Sequence, residues 1–90
     1  MARQAKVWVL LEYIDTEVYA TVFRTQKGAV DYVKRVIYGD WVQHDKNDKR
    51  TEEEMRQQQE EAARELVEEG IWQHTQYDNV TYELNEEDLL

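Results

Sequence analysis

Two apolar runs separated by three polar residues constrain this chain more than any other feature. From Lys6 to Ile14, Val7, Val9, Leu11 and Tyr13 fall on one face and Trp8, Leu10, Glu12 and Ile14 on the other, the two-residue period of a strand. After Asp15-Thr16-Glu17, the run Val18 to Phe23 alternates again, with Val18, Ala20 and Val22 against Tyr19, Thr21 and Phe23. A parallel partner needs a crossover of a dozen or more residues, so this break forces an antiparallel hairpin. Both faces of the first run are mostly apolar, which predicts a central strand, buried on one side and partly covered on the other.

The middle of the chain changes period. Thr25 is placed to cap a helix, its hydroxyl accepting from a free backbone N–H two or three residues on. From Gln26 to Tyr38, Ala29, Val33, Val36 and Ile37 form one helical stripe, widened by Val30. Gly39 is expected to end it, and Gly28 to weaken its start. Asp40 to Arg50 reads as a polar loop, with Trp41 and Val42 its only apolar residues. Thr51-Glu52-Glu53-Glu54 then has the form of a capping box. It predicts a helix over Glu52–Glu69, stopped by Gly70. The apolar stripe there is thin: Met55, Ala62 and Leu66, with Ala63 and Val67 to one side and Gln59 in the gap. Support is expected from i,i+4 pairs such as Glu52–Arg56 and Glu60–Arg64.

A second hairpin is predicted from Ile71–Tyr77 and Val80–Leu84 around Asp78-Asn79, its first arm an edge strand or partly loop, followed by an acidic tail over residues 85–90 that Asn85 would cap as a helical turn. The order is ββααββ. It predicts one α+β domain over residues 1–90: an antiparallel sheet of three or four strands with two helices packed on one face.

Composition narrows the chemistry. The 90 residues hold no cysteine, serine or proline, which removes disulfides, thiolate nucleophiles, cysteine zinc sites and Ser-His-Asp catalysis. The net charge of −9 opposes general nucleic-acid binding. Val7–Leu11 is the longest apolar stretch, far short of a spanning helix, and Glu12 interrupts it too early for a signal peptide. No membrane association is expected, and the default location is the cytoplasm. The glycines Gly28, Gly39 and Gly70 cannot build a phosphate-binding loop. His44 and His74 are thirty residues apart, and His44 with Asp45 and Asp48 makes at most a loose cation site. The reading is therefore a protein with no catalytic residues, no metal and no cofactor, the remaining enzymatic option being a small metal-dependent one.

The charge is unevenly placed. Residues 1–45 carry six bases and six acids, whereas residues 46–90 carry five bases and fourteen acids. The segment 52–69 alone has eight glutamates and two arginines. On a helix, Glu54, Glu61, Glu65 and Glu68 fall within about 60° of one another along about 21 Å of axis. The plain reading is a solvated face, since glutamate is a good helix former. The functional reading is a ridge that meets a basic groove on another protein and imitates part of a phosphate backbone, with Glu86, Glu87 and Asp88 extending it.

Nine of the ten aromatics are tyrosine or tryptophan, types enriched at interface hot spots. Trp8, Tyr13 and Phe23 are expected in the core. Trp41, at the head of a polar loop, either folds back on the sheet or anchors a partner.

Val7–Tyr13, then Val22-Phe23-Arg24-Thr25 with Ala29, Tyr32 and Val33, and finally Tyr82-Glu83-Leu84 with Leu89, make the chain similar to small acidic phage and bacterial α+β proteins. In size, charge and lack of catalytic groups it also resembles phage counter-defence proteins, the anti-CRISPR and anti-restriction inhibitors. That resemblance implies a protein that blocks a nuclease or nucleoprotein complex by occupying a basic surface, without itself touching nucleic acid. Glu54, Glu61, Glu65, Glu68 and Trp41 are the candidate partner-binding residues. The alternative is a homodimer or larger homo-oligomer of structural or regulatory role, joined through Met55–Ala62–Leu66 and exposed aromatics.

Overall fold

The computed structural model describes residues 5–43, 50–74 and 79–89. His44, Asp45 and Asp48 lie outside them, as do residues 75–77 of the expected third strand and Asp78 of the turn after it. The elements are β1 (Ala5–Ile14), β2 (Glu17–Phe23), α1 (Gln26–Gln43), α2 (Glu52–Glu68), β3 (Ile71–Gln73) and β4 (Val80–Leu89). The strands form one open antiparallel sheet in the order β2-β1-β4-β3. This is the α+β arrangement expected from the sequence, with both helices on one face.

The hairpin turns at Asp15-Thr16, where Asp15 takes a φ of 56°, and Ile14 then pairs with Glu17. Register decides which face of β1 is covered. Leu10 lies opposite Leu84 and Glu12 opposite Tyr82, while Tyr82 lies opposite Trp72. The face of β1 that carries Leu10 and Glu12 takes the helices. Leu10, Trp72, Tyr82 and Leu84 bury against Ala29, Val33 and Ile37 of α1 and Met55, Ala62 and Leu66 of α2. Trp8 and Phe23 pack at the margin of this core. Tyr13 does not join it. Paired with Val18 and Thr81, it stands on the opposite face, half-buried, and its hydroxyl donates to Glu83 at 3.2 Å.

Two boundaries depart from the sequence reading. Helix α1 is capped by Thr25, whose Oγ1 accepts from the Gly28 N–H at 3.0 Å, but it runs through Gly39 to Gln43. A glycine inside a helix costs only about 1 kcal/mol, and the packing of Ile37 and Trp41 on the core outweighs it. The expected acidic tail is strand: β4 continues to Leu89, in register with Ala5–Val9. Lys6 lies 3.3 Å from both Glu86 and Asp88, which relieves the repulsion that would keep such a segment off the sheet. Strand β3 is three residues long. The His74 N–H prolongs its pairing by donating to Val80 O at 2.9 Å, and the His74 ring is buried against Trp72.

Candidate functional site

Helix α2 begins at Thr51, whose Oγ1 accepts from the Glu54 N–H at 3.1 Å. The reciprocal half of the expected capping box is replaced by a bond from the Thr51 hydroxyl to Glu54 Oε1 at 3.2 Å. Met55, Gln58, Ala62 and Leu66 are buried, so the thin seam is spent on the chain's own core and is closed to a second copy. Gln58 accepts from the Arg50 guanidinium. Gln59 turns the other way and donates to Lys34 O at 2.8 Å, fixing which flank of α2 lies on α1. Val67 is exposed.

The cations gather on that same side. Lys34 lies 3.6 Å from Glu60, and Arg56 lies 2.6 Å from Glu52. Lys34 therefore takes the place expected of Arg64 as the partner of Glu60. The ridge residues Glu54, Glu61, Glu65 and Glu68 occupy the flank about 150° round the helix from Gln59. Glu54 and Glu68 are exposed, and Glu61 and Glu65 are half-buried. Among the described residues, no lysine or arginine lies within ion-pair distance of these four. Helix polarity sharpens the imbalance. Glu52, Glu53 and Glu54 favour the N-terminal end, but the last turn has no basic residue, so Glu65 and Glu68 face the negative end of the helix dipole unrelieved. Glu86 and Asp88 do not extend the ridge, because β4 carries them to Lys6.

Trp41 stands apart from these carboxylates. Its Nε1 donates to Arg50 O at 2.9 Å, its ring tilts against Tyr38 at 6.0 Å, and it packs partly buried on the core. Its indole tethers the end of α1 to the start of α2.

A cleft of about 510 Å³ opens between α1 and the sheet, lined by Glu12, Val36, Asp40, Val80 and Tyr82 among others. Glu12 is buried and accepts from the Tyr32 hydroxyl at 2.9 Å. Burial pushes the Asp40 carboxyl above its ordinary range, partly offset by Arg50. Burial also raises the Tyr82 hydroxyl, reinforced by Glu12 and Asp40, and raises the Tyr32 hydroxyl, reinforced by its bond to Glu12. Both phenols are thus held protonated, and the Tyr32 hydroxyl donates to Glu12 between apolar walls. The sequence carried one overlooked signal of this cleft: Glu12 shares a face with Trp8, Leu10 and Ile14, where an ionisable group needs a partner.

No group of three or more histidine, cysteine or acidic side chains that could hold a metal ion occurs among the described residues. No helix among them is long and apolar enough to cross a membrane. Comparison with protein-family models, curated proteins and solved structures found no match.

Proposed function

We propose that the protein is a non-enzymatic binding module whose helix α2 engages a basic surface on a larger protein, of the kind that otherwise contacts nucleic acid. One observation carries this reading. The acids on the α1 flank of α2 have cationic partners, Lys34 at Glu60 and Arg56 at Glu52. The ridge of Glu54, Glu61, Glu65 and Glu68 has none among the described residues. An uncompensated line of carboxylates on a rigid helix attracts a positive surface at long range and speeds encounter, more at low ionic strength. The lack of cysteine and serine and the charge of −9 fit a protein that acts by occupation. They also fit the resemblance to phage counter-defence inhibitors.

Trp41 is not part of the proposed contact surface, because its polar atom and much of its ring serve the fold.

The test compares the natural chain with the variant Glu54→Lys, Glu61→Lys, Glu65→Lys, Glu68→Lys. Both are immobilised and challenged with purified nucleases and nucleoprotein complexes of basic surface over a range of salt. The natural chain should retain a target that nucleic acid displaces, and the variant should lose at least about tenfold in association rate at low salt, with a flatter salt dependence. Equal binding by both chains would remove α2 from the mechanism.

A further inference from the structure

We infer that two copies of this chain join through β2, antiparallel about a twofold axis at Ala20, to make one continuous eight-stranded sheet. The ladder itself shows which amides are free. The Asp15 N–H donates to Asn79 O at 3.0 Å, continuing the pairing of β1 with β4. Bonding direction alternates along an antiparallel strand, so Tyr13, Leu11 and Val9 also bond toward β4, while Ile14, Glu12, Leu10 and Trp8 bond toward β2. Their partners in β2 are Glu17, Tyr19, Thr21 and Phe23. Val18, Ala20 and Val22 therefore aim their N–H and C=O groups away from the sheet, at its open edge.

That edge has none of the usual guards. Edge strands are blunted by lysine, proline, bulges or short length. Glu17–Phe23 is seven residues long, with unbroken register to β1 and no lysine, proline or glycine. Its one charge is at the end. Val18, Tyr19 and Val22 are 56, 49 and 62 % exposed.

Charge identifies the occupant as a second copy. The turn end of the strand carries Asp15 and Glu17, both exposed, whose side chains accept from the neutral groups of Asn79 and Tyr19. The other end carries exposed Arg24, with no carboxylate in ion-pair range among the described residues. Antiparallel self-pairing lays each acidic end beside a basic one. With Ala20 opposite itself, Val18 meets the second copy's Val22, Tyr19 meets its Thr21, and its Arg24 lies opposite Thr16, between Asp15 and Glu17. This register keeps every side chain on its own face and overlaps all seven residues. The sheet order places β2 at the opposite edge from β3, next to which α2 packs. Both glutamate ridges stay open, and the pairing stands independently of the proposed function.

The chain has no cysteine, so a single introduced one reports register. In sedimentation equilibrium the natural chain should approach twice the 10.9 kDa of one copy as concentration rises. Ala20→Cys should cross-link to itself with a short bifunctional thiol reagent. Val18→Cys should not, but should cross-link to Val22→Cys when the two are mixed. Arg24→Glu, an exposed change that leaves the core alone, should weaken association about tenfold, and adding Glu17→Arg should restore it. Circular dichroism of each variant confirms that it is folded. A chain monomeric at every concentration overturns the inference. So does a dimer in which Val18→Cys links to itself as readily as Ala20→Cys, or one indifferent to Arg24→Glu.

Discussion

The Tyr32 hydroxyl, on α1, donates to the Glu12 carboxylate, on β1, at 2.9 Å across the interface between helix and sheet. This bond lets the face of β1 that contains a carboxylate be the covered one, while the wholly apolar row Val7, Val9, Leu11 and Tyr13 is left on the open side. Tyr32→Phe keeps the ring, including its contact with Phe23 at 5.5 Å, and removes only the donor. Leaving a buried acceptor unpaired costs about 1–3 kcal/mol, so the urea midpoint should fall accordingly. An unchanged midpoint would show that water reaches Glu12 as readily as Tyr32 does.

The C-terminal end of α2 should be improvable at the expense of binding. Glu65 and Glu68 oppose the helix dipole with no basic residue in the last turn. Glu68→Lys reverses one of these charges at an exposed position and should raise stability by about 0.3–1 kcal/mol. Added salt should stabilise the natural chain more than the variant, by screening repulsion that the variant has lost. Thermal melts at low and high ionic strength check both. A variant less stable than the natural chain would mean that the ridge is paired in solution.

Trp41→Phe separates tethering from anchoring. The change deletes the bond from Nε1 to Arg50 O while leaving an aromatic against Tyr38. The loss of one such bond should cost about 0.5–1.5 kcal/mol in denaturant unfolding, with binding through α2 unaltered. A selective loss of binding at unchanged stability would return Trp41 to the contact surface.

These expectations rest on features of unequal legibility. The β1–β2 hairpin, the Thr25 and Thr51 caps and the glutamate ridge could be read directly, because each depends on neighbours within one strand or a few helical turns. The covered face of β1 could not. It is set by the register that brings Leu10 and Glu12 beside Leu84 and Tyr82, some seventy residues away, and both faces looked apolar. Gly39 misled for the same reason. Local propensity favoured a stop, and the core contacts of Ile37 and Trp41 carried the helix on. The acidic segment after Leu84 looked like a tail until β1 supplied a ladder and Lys6 a counter-charge. Of the candidate site, the ridge was legible and the pairing of Glu60 was not, since Lys34 reaches α2 from another helix.

Gly70 holds the turn from α2 into β3. Its φ is +77°, its N–H bonds to Glu65 O at 3.1 Å and Leu66 O at 3.2 Å, and its carbonyl accepts from the Leu84 N–H at 2.8 Å. A Cβ there would stand 3.4 Å from Leu84 O, so space is adequate and the left-handed backbone decides. Gly70→Ala should lower stability by about 1–2 kcal/mol, and Gly70→Asn by less, because asparagine visits this conformation more readily. Equal losses for the two would place the cost in the contact with β4.

Asp40 should give the fold a distinct pH dependence. Burial raises its carboxyl above the ordinary value of 3.8, against the pull of Arg50. The folded state therefore holds this proton at pH values where the unfolded chain has released it, and stability falls with rising pH wherever the native state binds more protons. The contribution of Asp40 is undiminished below 3.8 and is lost as pH climbs through the folded value. Asp40→Asn removes the penalty of the buried charge. It should be more stable than the natural chain at neutral pH, and the gap should close as pH falls below about 3.8. Urea midpoints measured in parallel across this range test the sign. If Asp40→Asn is the weaker protein at neutral pH, the attraction of Arg50 outweighs burial, and the pH dependence of this group runs the other way.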